Sequence, residues 1–247
     1  MLRRLKGDGV DPALIRVVPG VPTGTAHVSY NSDGSRDFVF NMALSAAARL
    51  PSGAEVEAGF LAAGITVLHI SGSMLGDAAM RAAALDISGR LHARGVAISV
   101  DPNIRTELLT DPGYLQAVNR LMAMARYVLP SDADADLMFP GRSFDDWSAE
   151  LLAQGARAVV LKRGERGCIG RDAGGTHPLP AHPVEVVDPT GAGDCFCATL
   201  VTLLAAGQPL AQALARANAA GALAVTRLGP MEGNATLEEI DALRGAA

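Results

Sequence analysis

The chain has 247 residues, 49% hydrophobic and 19% charged, which suits one globular domain of the larger kind with ample material for a core. Its 21 basic and 26 acidic side chains leave a formal charge of −5, and with no Lys/Arg run this argues against a nucleic-acid partner. No apolar run reaches membrane-spanning length, the basic Met1-Leu2-Arg3-Arg4-Leu5-Lys6 lacks the apolar core of a signal peptide, and Cys168, Cys195 and Cys197 have no metal spacing, so they read as free thiols of a cytoplasmic protein.

Leu2-Arg3-Arg4-Leu5 followed by Gly7-Asp8-Gly9 reads as the last turn of a helix and its exit. A helix end with no helix before it predicts sequence upstream. Residues 14–19, 25–30 and 37–41 alternate or run apolar and predict short strands, with Asn31-Ser32-Asp33-Gly34-Ser35 as a hairpin turn between the last two. From Leu50 the pattern becomes helix and strand in alternation. Helices are predicted at 55–63, 76–94, 113–126 and 143–155, and strands at 65–70, 96–100, 127–130 and 157–161. The strands are short apolar runs suited to burial on both faces, so His69 is expected as a satisfied core histidine. An extended run at 182–187 leads to a helix at 198–206. Alanine-rich 213–226, its apolar face broken by Asn218, and amphipathic 236–244, capped by Thr236, are the last two helices. Strands separated by helices predict a parallel sheet with right-handed crossovers, whose ligands bind beyond the carboxyl ends of the strands.

The residues after each strand are therefore the candidates. They are Ser71-Gly72-Ser73, Asp101-Pro102-Asn103-Ile104-Arg105, Ser131-Asp132-Ala133-Asp134, Lys162-Arg163-Gly164-Glu165-Arg166-Gly167 and Asp188-Pro189-Thr190-Gly191-Ala192-Gly193-Asp194. The last is a glycine turn opening a helix, where free N–H groups and the positive end of the helix dipole converge on a site for an anion, phosphate above all. A lone Gly-x-Gly is equally a capped tight turn. Asp194 in the same turn suggests more: a carboxylate taking a proton from a nucleophile while N–H groups at Gly191, Ala192 and Gly193 hold the charge developing on a phosphoryl group. Phosphoryl transfer also needs cations for the other phosphates, for which Arg105 and Lys162 qualify, and a metal, for which Asp134 acting through water qualifies.

The string from Asp188 to Phe196 resembles the C-terminal signature of the ribokinase-like (PfkB) carbohydrate kinases, Asp-x-x-Gly-Ala-Gly-Asp-x-Phe. The resemblance implies an α/β fold, a three-layer α/β/α sandwich with a mainly parallel sheet and a small β lid. It implies a single kinase domain over 1–247, with lid strands at about 14–45 and the core at about 50–247. Asp101-Pro102-Asn103-x-Arg105 resembles the Asp-Pro-Asn-x-Arg segment of 2-keto-3-deoxygluconate kinase and fructokinase-like members, which implies substrate contacts for Asn103, Arg105 and Asp194. Ser131-x-x-Asp134 stands where the family has Asn-x-x-Glu, a pair that orders Mg²⁺ and phosphate through water. Lys162, Gly164 and Gly167 match the nucleotide loop, and Asn218 the adenine-side helix. Asp188, Thr190, Ala224, Arg227, Gly229 and Gly233 match the frame of a monovalent-cation site, with K⁺ as the candidate ion. The family's opening Gly-Gly-x-x-x-Asn-x-Ala motif and early Asp are not found, an N-terminal deficit of roughly two βαβ units at about 30 residues each. The implied function is ATP-dependent phosphorylation of a ketose or keto-sugar acid, with a small-molecule sugar as partner and a homodimer through the lid strands. The alternatives are a non-catalytic nucleotide-binding remnant and a nucleoside kinase.

Overall fold

A computed structural model of the chain describes residues 2–30, 36–42 and 44–245. Helix α1 (Leu2–Gly7) precedes a two-stranded antiparallel ribbon of β1 (Thr25–Tyr30) and β2 (Arg36–Asn41), registered Thr25 to Asn41. The turn expected at 31–35 lies outside the described residues. The strand expected at 14–19 does not form; Pro12, Pro19 and Pro22 punctuate that stretch, and most of it is exposed.

Helices and strands then alternate as α2 (Gly53–Ala62), β3 (Val67–Ser71), α3 (Ala78–Ala93), β4 (Ala97–Asp101), α4 (Pro112–Met124), β5 (Tyr127–Val128), α5 (Asp132–Met138), α6 (Phe144–Ala153) and β6 (Ala158–Lys162). Their starts are written in local chemistry. Ser52 and Glu55 form a reciprocal capping box on α2, Asp77 caps α3, Asp111 with Pro112 opens α4, and Ser143 caps α6. An antiparallel hairpin, β7 (Cys168–Asp172) and β8 (Gly175–Leu179), follows; then come α7 (Ala192–Ala205), α8 (Leu210–Ala224) and α9 (Leu237–Gly245).

The six-stranded sheet has the order β3-β4-β5-β6-β7-β8, parallel from β3 to β6 and antiparallel beyond. Strand alternation divides the core between its two faces. Ile98, Val100, Val128 and Val159 meet Leu91, Leu121 and Trp147 on the α3, α4 and α6 side. Tyr127, Ala158 and Val160 meet Phe196, Leu200 and Leu214 on the α7 and α8 side. Trp147 anchors the first side, stacked on Phe139 at 4.7 Å and edge-on to Phe144 at 5.0 Å.

Two expectations are corrected here. Residues 182–187 form no strand, because Pro183 interrupts the run and the N–H groups of Val187 and Asp188 both donate to the carbonyl of Val225 at the end of α8. His69 does lie in β3, but β3 is the edge strand, so the residue is exposed rather than core; its Nδ1 meets the Ser99 hydroxyl at 3.0 Å.

Candidate active site

The carboxyl ends of the parallel strands and the start of α7 come together on one side of the sheet. Gly191 caps α7 with φ +84°, and a Cβ there would lie 2.4 Å from the Pro230 carbonyl oxygen, so only glycine suits the turn. Among the described residues the N–H groups of Gly193 and Asp194 have no backbone partner, as the first turn of a helix leaves them. Gly193 and Asp194 are both exposed. Gly193 is open on its outer side: the one atom within 4 Å of a Cβ built there is Lys162 Nζ, at 3.8 Å.

Lys162 ends β6 beneath that turn. Its ammonium donates to Asp101 Oδ2 at the end of β4 and lies 3.6 Å from Cys197 Sγ on α7. Its side chain is 14% exposed, that of Asp101 6%. Burial works against the charge on Lys162, yet Cys197 and Asp101 facing it raise the ammonium above its ordinary value. Burial also pushes the Cys197 and Cys168 thiols up to about 12, and burial with the Asp194 charge raises Cys195. All three cysteines are free, and these thiols are poor nucleophiles.

Asp101 also shapes the segment after it. Its Oδ1 accepts the Asn103 N–H at 3.1 Å, and Asn103, with φ +35°, donates its side-chain amide to Ser71 Oγ at the end of β3. Arg105 follows, half-buried, its N–H anchored by the Tyr114 hydroxyl at 3.1 Å. Asp134 is 3% exposed; Oδ1 accepts the Ile104 N–H at 2.7 Å, while Oδ2 accepts the Ser131 N–H at 2.8 Å and the Ser131 hydroxyl at 2.6 Å. These two residues cap α5 and tie it to the Asn103 segment, so the expected Mg²⁺ role of Asp134 gains no support from its geometry. No group of three His, Cys, Asp or Glu side chains among the described residues could hold a metal.

A cleft of about 610 Å³ runs from this turn along α8. Lys162, Gly164, Gly167, Ala192, Gly193 and Asn218 all line it, so the structure gathers these sequence-selected residues at one site. Arg105, Asn103, Ser131, Asp134 and Asp194 are not in its lining. Gly164, with φ +53°, has open space where a side chain would be, whereas Gly167 packs its α-carbon against the 179–181 backbone. Asn218 donates its amide to the Pro180 carbonyl at 2.7 Å, clasping the opposite wall. That wall, with His182, Pro183, Val184 and Val186, was missed as part of the site, because its apolar alternation reads as a strand.

Behind the turn, Asp188 is 1% exposed and joins two loops: Oδ1 accepts the Thr190 N–H at 2.9 Å and Oδ2 the Gly229 N–H at 3.0 Å. Gly233 lies so close to Ala224 that a Cβ would meet its carbonyl oxygen at 2.3 Å. Asp188, Thr190, Gly229, Ala224 and Gly233 thus frame one corner, while Arg227 is exposed and its charge acts on Glu239 of α9.

Comparison with known proteins adds the following. Residues 1–237 match the model of the pfkB family of carbohydrate kinases. The 2-dehydro-3-deoxygluconokinase of Bacillus subtilis (strain 168) is 29% identical over 244 residues, 97% of this chain and 75% of that protein. A fructokinase of Klebsiella pneumoniae is 32% identical over 239 residues, 94% of this chain and 76% of its own length. An E. coli protein assigned provisionally as ribokinase II, solved with ATP and Mg²⁺, superposes with a TM-score of 0.90 at 38% identity, covering 100% of this chain and 78% of the other.

Proposed function

As the chain belongs to the pfkB family of carbohydrate kinases, we propose that it transfers the γ-phosphoryl group of ATP to a hydroxyl of a ketose or keto-sugar acid. The observation that carries this reading is the start of α7, where Gly193, whose N–H has no backbone partner among the described residues, lines a ligand-sized cleft and the exposed Asp194 follows it in the chain. The cleft suits a nucleotide. Its glycine turn and Lys162 offer donors to phosphates, and Pro183, Val186, Phe196 and Val225 offer apolar walls to a base. When bound, ATP supplies the phosphoryl group, and its Mg²⁺ neutralises charge between the phosphates.

The chain's own residues do the rest. Asp194 accepts the proton of the acceptor hydroxyl as it attacks. The N–H of Gly193 and the positive end of α7 hold the charge that develops on the transferred group, while the Ala192 N–H already donates to the Pro189 carbonyl at 3.4 Å. Lys162, fixed by Asp101, adds a buried positive charge under the same turn. Asn103 and Arg105, which follow β4, are the residues we assign to the acceptor. Mg²⁺ needs few protein ligands and would arrive with the phosphates. The Asp188 corner, with Thr190, Ala224, Gly229 and Gly233 but without the exposed Arg227, is the place for a monovalent cation such as K⁺ behind the anion hole.

The test is ADP release from MgATP across ketoses, keto-sugar acids and nucleosides, with Asp194→Asn as control. Release that depends on a sugar and vanishes in the variant supports the proposal. Release with nucleosides alone moves the substrate class, and ATP binding without release with any acceptor overturns the transferase reading.

A further inference from the structure

The geometry points to a second anion site, one for a phosphate group, at the opposite ends of the same strands. A concavity of about 330 Å³ opens where β4, β5 and β6 begin, between the carboxyl ends of α3, α4 and α6. Arg126, Arg157, His92 and Gln154 supply its polar groups, and no Asp or Glu lines it. Alternation sets the aim of the two arginines. Arg126 shares a sheet face with Val128 and Arg157 with Val159, the face packed by α3, α4 and α6. Backbone bonds hold them side by side, Arg126 N–H donating to Ile98 at 2.7 Å and Arg157 N–H to the Arg126 carbonyl at 2.8 Å.

The arginines of this acidic chain mostly have partners: Arg81 with Asp111, Arg90 with Asp86, Arg142 with Glu150, Arg216 with Asp241. These two do not. Arg126 Nε is buried with no hydrogen-bond partner among the described residues. Neither guanidinium makes an ion pair or hydrogen bond among the described residues. The Tyr127 ring, 6.0 Å from Arg126 Cζ, sits at the outer limit of a cation–π contact. Basic side chains near helix carboxyl ends usually answer the terminal carbonyls. Here neither guanidinium donates to one, so their donors remain for something else. The carboxylate that reaches the rim, Glu150 through the Gln154 amide at 3.3 Å, is already engaged by Arg142 at 2.7 Å. Two guanidinium forks lining one concavity, with no carboxylate in its lining, match the charge and donor chemistry that a phosphate dianion takes. Inorganic phosphate and a phosphate monoester of a small sugar share that chemistry, and the site lies away from the glycine turn.

Calorimetric titration of the full chain at constant ionic strength decides it, with inorganic phosphate and glucose 6-phosphate as separate probes. Wild type and Gly193→Val, the latter altered at the glycine turn, are expected to show the same saturable step. Arg157→Gln and Arg126→Gln are expected to weaken that step at least roughly tenfold, the weight of one charge-assisted bond. Tighter binding of glucose 6-phosphate assigns a monoester, and equal binding assigns the free ion. Wild-type binding absent up to roughly 10 mM, or binding lost in Gly193→Val and untouched in both arginine variants, overturns the site. Arg157 is exposed, so Arg157→Gln keeps the fold and decides alone if Arg126→Gln does not express.

Discussion

Replacing Lys162 by Met tests the frame of the proposed active site at its buried ion pair. The change removes the ammonium between Asp101 and Cys197 and leaves an Asp101 side chain only 6% exposed without its cation. Breaking a buried pair by removing one partner costs about 3–5 kcal/mol. In a chain of this size each kcal/mol moves Tm by about 2–4 °C, so Lys162→Met should melt roughly 6–20 °C below wild type. Asp101→Asn should also destabilise, since it strands the ammonium, and the double variant should lose less than the sum of the singles. The pH dependence has a definite sign. A lysine raised in the folded state contributes fully below its ordinary value of 10.5 and loses that contribution as pH rises through the higher folded value. The wild-type advantage over Lys162→Met should therefore be constant at neutral pH and shrink only in strong alkali. Urea denaturation of the four proteins measures all of this. Single-variant losses that add to within about 0.5 kcal/mol would refute the buried pair.

Asp194→Asn should lower turnover by about 10²–10⁴-fold, the usual weight of a general base, with ATP affinity by calorimetry kept within a few fold. Gly191→Ala and Gly193→Ala should separate fold from site. The first forces a side chain to φ +84° against the Pro230 carbonyl and should cost at least about 1–3 kcal/mol by urea melt. The second meets no backbone, should leave the melt nearly unchanged, and should raise KM for ATP by narrowing the cleft. Asp134→Ala should cost about 1–3 kcal/mol through the unpaired Ile104 and Ser131 groups while leaving the midpoint of Mg²⁺ activation in place; a shifted midpoint would return Asp134 to the metal.

Much of the fold was legible because its signals are local. The apolar runs of β4 and β6 and the caps at Ser52, Asp77, Asp111 and Ser143 each state an element without reference to the rest of the chain. What escaped depended on distant partners. The apolar alternation of 182–187 has the pattern of a strand, but Val187 and Asp188 give their N–H groups to Val225, 38 residues beyond Val187. The β7–β8 hairpin was unforeseen because Cys168–Asp172 begins directly after the glycine loop and reads as its continuation. Helix α5 was missed because Asp132, Asp134 and Asp136 look like polar strand-end residues rather than a capped turn. His69 has a core sequence context, and only the strand order places it at an edge.

The site was legible as a set of strand ends, but the division of labour within it was not. Polar residues after strands could equally face a ligand or one another, and the hydrogen bonds decide between these. Asp101 joins Lys162 and Asn103, Asn103 joins Ser71, and Asp134 joins Ile104 and Ser131, so the ends of β3, β4, β5 and β6 are tied by side chains into one frame. A catalytic arrangement works when its donors are fixed before the substrate arrives, because reorganising them would otherwise add to the barrier. Gly193 and Asp194 then stand apart for a physical reason. They are exposed at the open end of α7, with N–H groups that have no backbone partner among the described residues, mounted on a frame whose own polar groups already bond one another. The bonded carboxylates, Asp101 and Asp134, should therefore govern stability first, and the exposed one, Asp194, should govern turnover.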